Sequence, residues 1–188
     1  MVDTLRAGGV IACPTETLVG LLADARDAVA VARVAALKGR DVSQPIGVLL
    51  PDLAALSGVA SELPARALEL ARRYWPGPLT LVLPVRADWP AALSKDGKIG
   101  VRIPGPSPAL ELVRAFGAPL TATSANVSGE PAALSGEEAL RIFPRGLAAV
   151  VPGLAPGGAP STVLDVSGPE PRLIRAGAIA AELLGLSD

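Results

Sequence analysis

The sequence contains no histidine. That absence removes the usual general base, the usual zinc ligand and every Ser–His or Cys–His nucleophilic pairing. A catalyst built from this chain must work by positioning and electrostatics. Such means suit phosphoryl or nucleotidyl transfer, where Lys, Arg, backbone amides and a substrate-borne magnesium ion do most of the stabilising. Cysteine occurs once, at Cys13, so no internal disulfide can form. The first residues lack the charged-then-apolar order of a secretory leader, and a cytoplasmic protein is expected. Long apolar runs are missing too: "LTLVLPV" at 79–85 falls far short of the ~20 residues that cross a bilayer, so no membrane association is expected. Neither sign of charge dominates, with 17 Lys and Arg against 18 Asp and Glu. That balance excludes a wholesale basic footprint for nucleic acid while leaving room for a local patch.

Two motif classes are absent as well. No G-x-x-x-x-G-K-[ST] occurs, and "GGV" near the start lacks the spacing of a dinucleotide loop. Asp24, Asp27, Asp52, Asp88, Asp96 and Asp165 are scattered, without the clustering that a dedicated metal cage needs. No resident metal is expected.

Aromatic residues make up only 3% of a chain that is 50% hydrophobic, so the core must be built from Ala, Val, Leu and Ile, as suits helices packed on a sheet. At 188 residues the chain is long enough for one domain, 1–188, burying roughly two-thirds of its unfolded surface. Short apolar runs alternate with helical patterns. "VIAC" (10–13) reads as a strand. Asp27 caps a helix over 28–38, with Val31, Val34, Ala35 and Leu37 as its apolar stripe and Gly39 as its stop. "IGVLL" (46–50) is a strand, and Ser61 opens a second helix with Pro64 in its first turn. "LTLVLPV" and "IGVRI" (99–103) are strands. "PALELVRAF" (108–116) is a third helix, followed by the strand "PLTAT". Ser135 and Glu138 form a capping box for a fourth helix. "AAVV", "TVLDV" and "RLI" are late strands, and "AIAAELLG" is a closing helix. Several strands follow one another with no helix between them, so the expected fold class is α/β with a mixed twisted sheet and flanking helices.

Four places put polar or cationic groups where an element ends. "PTET" (14–17) follows a strand, and a turn whose hydroxyls satisfy local backbone is its plain structural reading. "KGR" (38–40) ends a helix, where cations complement the dipole. In "TSANVSG" (123–129), Ser124 and Asn126 lie two apart and face the same way if the backbone stays extended; a cap or Asx turn is the alternative. In "STVLDVSGPEPRLIRAG" (161–177), Ser161 and Thr162 open a strand and Arg175 ends another, where a solvated arginine is the alternative.

Taken in order, "PTET", "KGR", "WPGPLTLVL", "VRIP", "TSANVSG" and "STVLD…IRAG" resemble the YrdC-like family of threonylcarbamoyl-adenylate synthases over about residues 5–180, in its short, single-domain branch. The resemblance implies a twisted α/β sheet with a concave cationic face. It also implies condensation of L-threonine, bicarbonate and ATP to threonylcarbamoyl-AMP and pyrophosphate, feeding threonylcarbamoyl transferase machinery that modifies adenosine 37 of tRNA. Magnesium would be brought in with ATP. Matched position by position, Lys38, Arg40, Ser124 and Asn126 are the implied catalytic set. Thr17, Arg102, Ser124 and Ser161 are the implied threonine-binding residues, and Lys38, Arg40, Asn126 and Arg175 the implied ATP-binding ones. The chain departs from the family pattern at Val19, where a tyrosine is common, at Asp41 in place of a proline, and at Leu49 in place of a histidine seen in some members. Two alternatives stand beside this reading: a paralogue of the same fold that uses another carbamoyl acceptor, and a non-catalytic module that holds double-stranded RNA or tRNA.

Overall fold

The structure is a computed structural model that describes residues 1–39 and 45–186; Arg40 and Asp41 lie outside the described residues. Among the described residues nine strands form a mixed sheet in the order β7-β1-β2-β6-β3-β5-β4-β8-β9. They are β1 (Ile11–Pro14), β2 (Val19–Leu22), β3 (Gly47–Leu49), β4 (Leu79–Pro84), β5 (Lys98–Arg102), β6 (Leu120–Ser124), β7 (Ala149–Val150), β8 (Thr162–Asp165) and β9 (Arg172–Arg175). Parallel pairing joins β1 to β7, β3 to β5 and β4 to β8, and the other neighbours are antiparallel. The mixed α/β class expected from the order of elements is the one observed.

Among the described residues five α-helices accompany the sheet: α1 (Val2–Arg6), α2 (Ala28–Lys38), α3 (Ala65–Tyr74), α4 (Pro108–Phe116) and α5 (Gly136–Ile142). Helix α2 has its expected bounds. Asp27 accepts a hydrogen bond from the Val29 amide, and Gly39 closes the helix in the left-handed region at φ 58°, where glycine carries no Cβ penalty. Its buried face is Ala30, Val31, Val34 and Lys38, one position round from the expected stripe, so the apolar row ends on a lysine turned inward. Helices α4 and α5 pack against β1, and α3 packs against β4. Among the described residues no helix is long and apolar enough to cross a membrane.

Several expectations are corrected. The second helix starts at Ala65, not Ser61: the Ser61 amide donates to Pro84 O at 3.0 Å, and the residue before a proline is pushed out of helical φ/ψ, so Pro64 becomes the N-cap. Ser135 accepts from the Glu138 amide at 3.1 Å, but the Glu138 carboxylate takes the Leu134 amide, one residue ahead of the box. The closing helix is a single 3₁₀ turn over Ala181–Leu184. Strand β2 was not anticipated; it is short, buried along its whole length, and so carries no polar alternation to betray it.

The alternation in β4 explains where the open face of the sheet lies. Leu79, Leu81 and Leu83 are fully buried, whereas Thr80 and Val82, on the opposite face, line a cavity, as the period of two requires.

Candidate active site

The cavity has a volume of about 590 Å³ and lies across seven consecutive strands, from β2 to β9. Its depth comes from missing side chains. Gly20, Gly47 and Gly100 contribute to its lining, and a Cβ built on Gly47 would stand 3.1 Å from Gly100 O. Glycines on adjacent strands thus leave a trough where ordinary residues would fill it.

At one wall, Thr15–Leu18 turn the chain from β1 into its antiparallel partner β2. Thr15 Oγ1 closes the turn: it accepts from the Thr17 and Leu18 amides and donates to Leu18 O at 2.7 Å. The turn reading of "PTET" therefore holds for Thr15. With its proton on Leu18 O and its two lone pairs toward the Thr17 and Leu18 amides, Thr15 Oγ1 lies 3.1 Å from the Thr17 hydroxyl. Thr17, which lines the cavity, offers it acceptor lone pairs.

At the end of β6 the same pattern recurs. Ser124 Oγ donates to Asn126 Oδ1 at 2.6 Å, and Lys38 Nζ donates to that same oxygen and to Ser124 O, each at 2.6 Å. Asn126 Nδ2 donates to Val127 O and Glu130 O, which fixes the orientation of the amide. The two side chains meet because the backbone turns, with the Asn126 amide on Ser124 O at 3.0 Å, so the turn set beside the extended reading is the one observed. Lys38 is fully buried; it does not line the cavity but lies against the Ser124–Asn126 loop, and with its proton spent on Asn126, Ser124 also faces the cavity as an acceptor.

On the opposite side, Arg102 ends β5, a buried residue whose backbone carbonyl is taken by the Leu50 amide. Arg102 Nη1 donates to Glu16 Oε1 at 2.5 Å, while its Nε and Nη2 bond to no described residue. Burial pushes the Arg102 pKa below the ordinary arginine value, Glu16 opposes that shift, and the Arg175 charge adds to it. Arg175 donates through Nη2 and Nε to Ser161 O and through Nη2 to Ser161 Oγ, and Thr80 Oγ1 lies 3.0 Å from that hydroxyl. Gly177 secures this corner, because a Cβ there would come within 2.3 Å of Pro160 O and 2.6 Å of Ser161 C.

Beyond Arg175, Asp165 holds Lys98 at 3.0 Å and Arg172 at 3.7 Å. Burial alone would raise the Asp165 pKa, but hydrogen bonds from Ser167 and the Lys98 ammonium outweigh it and keep the carboxyl below its usual range. Among the described residues no group of three His, Cys, Asp or Glu side chains stands together.

Thr17, Arg102, Ser124, Ser161 and Arg175 thus share one cavity wall or floor, with Lys38 and Asn126 immediately behind Ser124; Arg40 falls outside the described residues. Glu16, Lys98 and Asp165 were not singled out from the sequence. Their partners lie 86 and 67 positions away, beyond the reach of local spacing.

A family model described as "Telomere recombination", covering Sua5, YciO and YrdC, matches residues 3–177. The chain belongs to that family. It is 36% identical over 181 residues to a threonylcarbamoyl-AMP synthase of Bacillus subtilis, covering 95% of this chain and 52% of the relative. It is 35% identical over 193 residues to a putative threonylcarbamoyl-AMP synthase of Mycobacterium tuberculosis, covering 98% and 88%. Among solved structures, Pyrococcus abyssi Sua5 complexed with L-threonine superposes with a TM-score of 0.92 at 35% identity, covering 97% of this chain and 54% of that one. The chain spans about half the length of the Bacillus and Pyrococcus proteins.

Proposed function

We propose that the chain is an L-threonylcarbamoyladenylate synthase of the cytoplasm. The observation that carries the reading is the division of labour in the cavity: two guanidiniums, Arg102 and Arg175, share its lining with the hydroxyls of Thr17 and Ser124, which have lone pairs to offer. An amino acid offers the complement, a carboxylate for an arginine fork and N–H and O–H donors for the acceptors. The family membership, and a synthase in Bacillus matched over 95% of this chain, supply the reaction.

In this proposal Arg102 grips the threonine carboxylate, with Thr17, Ser124 and Ser161 around its amine and hydroxyl. The amine condenses with bicarbonate, losing water, to give a carbamate. A carbamate oxygen then attacks the α-phosphorus of ATP, the bond to the β,γ-phosphates breaks, and pyrophosphate leaves. Arg175, Arg40, Lys38 and Asn126 orient the nucleotide and balance its charge, the last two from behind Ser124. With no histidine in the chain, the rate comes from alignment and fixed charge. Magnesium arrives on the triphosphate, and metal analysis of the purified protein is expected to find no stoichiometric ion. The product passes to a transferase acting on tRNA.

The test is pyrophosphate release from ATP with threonine and bicarbonate present or omitted. Release that requires both is the expected outcome; release indifferent to threonine overturns the assignment.

A further inference from the structure

Glu16 reaches Arg102 from outside the cavity: it is absent from the lining, while residues 15 and 17 on either side of it are part of it. The Glu16 side chain lies over Gly105, where a built Cβ would come within 2.9 Å of Glu16 Cγ and 3.1 Å of its Cβ. The pair is enclosed, its side chains 9% and 13% exposed for Arg102 and Glu16. Yet it is joined by one oxygen only, and Glu16 Oε2 is buried with no hydrogen-bond partner among the described residues. A carboxylate and a guanidinium paired for stability alone would close through two parallel N–H···O bonds, which satisfies both oxygens. Here the guanidinium is held by one corner, and its Nε and Nη2 bond to no described residue.

We infer that Glu16 is the positioning residue of the carboxylate site, fixing Arg102 from behind so that the rest of its fork is presented to the substrate. The inference rests on the reading of Arg102 as the threonine carboxylate anchor. Gly105 belongs to the same device, because a side chain there would displace Glu16 without altering any charge. Glu16 touches no substrate and acts only through Arg102.

Two variants address the device separately: Glu16→Gln removes the charge, and Gly105→Ala shifts the carboxylate. In each, the threonine dissociation constant is expected to rise on the order of tenfold or more, as misplacement of a clamping group does, with ATP affinity unchanged. The double variant is expected to be no worse than the poorer single one, since both break one contact. The order of the Arg102 Nε–H group, followed by ¹⁵N relaxation without substrate, is expected to fall in both. Threonine affinity unchanged in both variants, or parallel losses for threonine and ATP, overturns the inference. If the wild-type chain binds no threonine, the proposed function fails instead, and an Arg102 Nε–H order unaltered by Glu16→Gln still overturns the positioning by itself.

Discussion

Replacing Arg102 by lysine keeps the positive charge and removes the planar fork. In the folded chain Nη1 is already committed to Glu16 at 2.5 Å, so serving Glu16 and a substrate carboxylate together needs donors spread over a planar fork. A lysine ammonium is drawn to the nearer fixed carboxylate, Glu16, and the incoming carboxylate loses its charge-assisted contacts. Such bonds contribute about 1.5 kcal/mol or more each, so losing one raises the threonine requirement roughly tenfold and losing two roughly a hundredfold. The fold should survive, because Glu16 keeps a cationic partner. The assay is pyrophosphate release, with threonine titrated at saturating ATP and bicarbonate, then ATP titrated at saturating threonine. A rise confined to threonine is expected. Equal weakening of both substrates, or of neither, refutes the placement of the carboxylate at Arg102.

Lys38→Met preserves the buried volume but removes the ammonium that holds Ser124 O and Asn126 Oδ1; turnover is expected to fall at least ~10-fold, about 1.4 kcal/mol of transition-state stabilisation, while circular dichroism shows a folded chain, and full turnover would sink the role. With 2-aminobutyrate in place of threonine, the acceptors at Thr17 and Ser124 lose a donor, an unpaired-group cost of about 1–3 kcal/mol; equal rates for the two would refute the hydroxyl subsite. The Cys13 thiol, its pKa pushed up to about 12 by burial and then by the Glu111 charge, should resist a thiol reagent near neutral pH in the folded chain and react once when unfolded, as titration of released chromophore will tell.

The parts of the fold legible in the sequence are those fixed by neighbours along the chain. Helix α2 is fixed by Asp27 and Gly39, helix α4 by the Ser107 hydroxyl and Gly117, and β4 by its alternating leucines, all within one element's length. Strand β2 was illegible because its partner β6 pairs with it 102 and 104 positions on, and because all four of its residues are buried. Lys38 was legible as a cation at a helix end, the position the dipole favours. That it turns inward instead was not, since its partners Ser124 and Asn126 sit 86 and 88 positions away and outbid the local field.

The same distinction governs the site. Which residues gather there could be read from short motifs, but what each hydroxyl offers a substrate could not, since that depends on where its one proton goes. Ser124 spends its proton on the amide oxygen of Asn126, on which Lys38 converges as well. There a neighbouring amide turns a hydroxyl of either character into an acceptor. A chain without histidine has no side chain whose ordinary pKa lies near neutral pH to sort donors from acceptors in the site. Here the sorting is done by a hydrogen bond fixed at folding, so recognition by Ser124 should hold constant across the pH range in which the fold is stable.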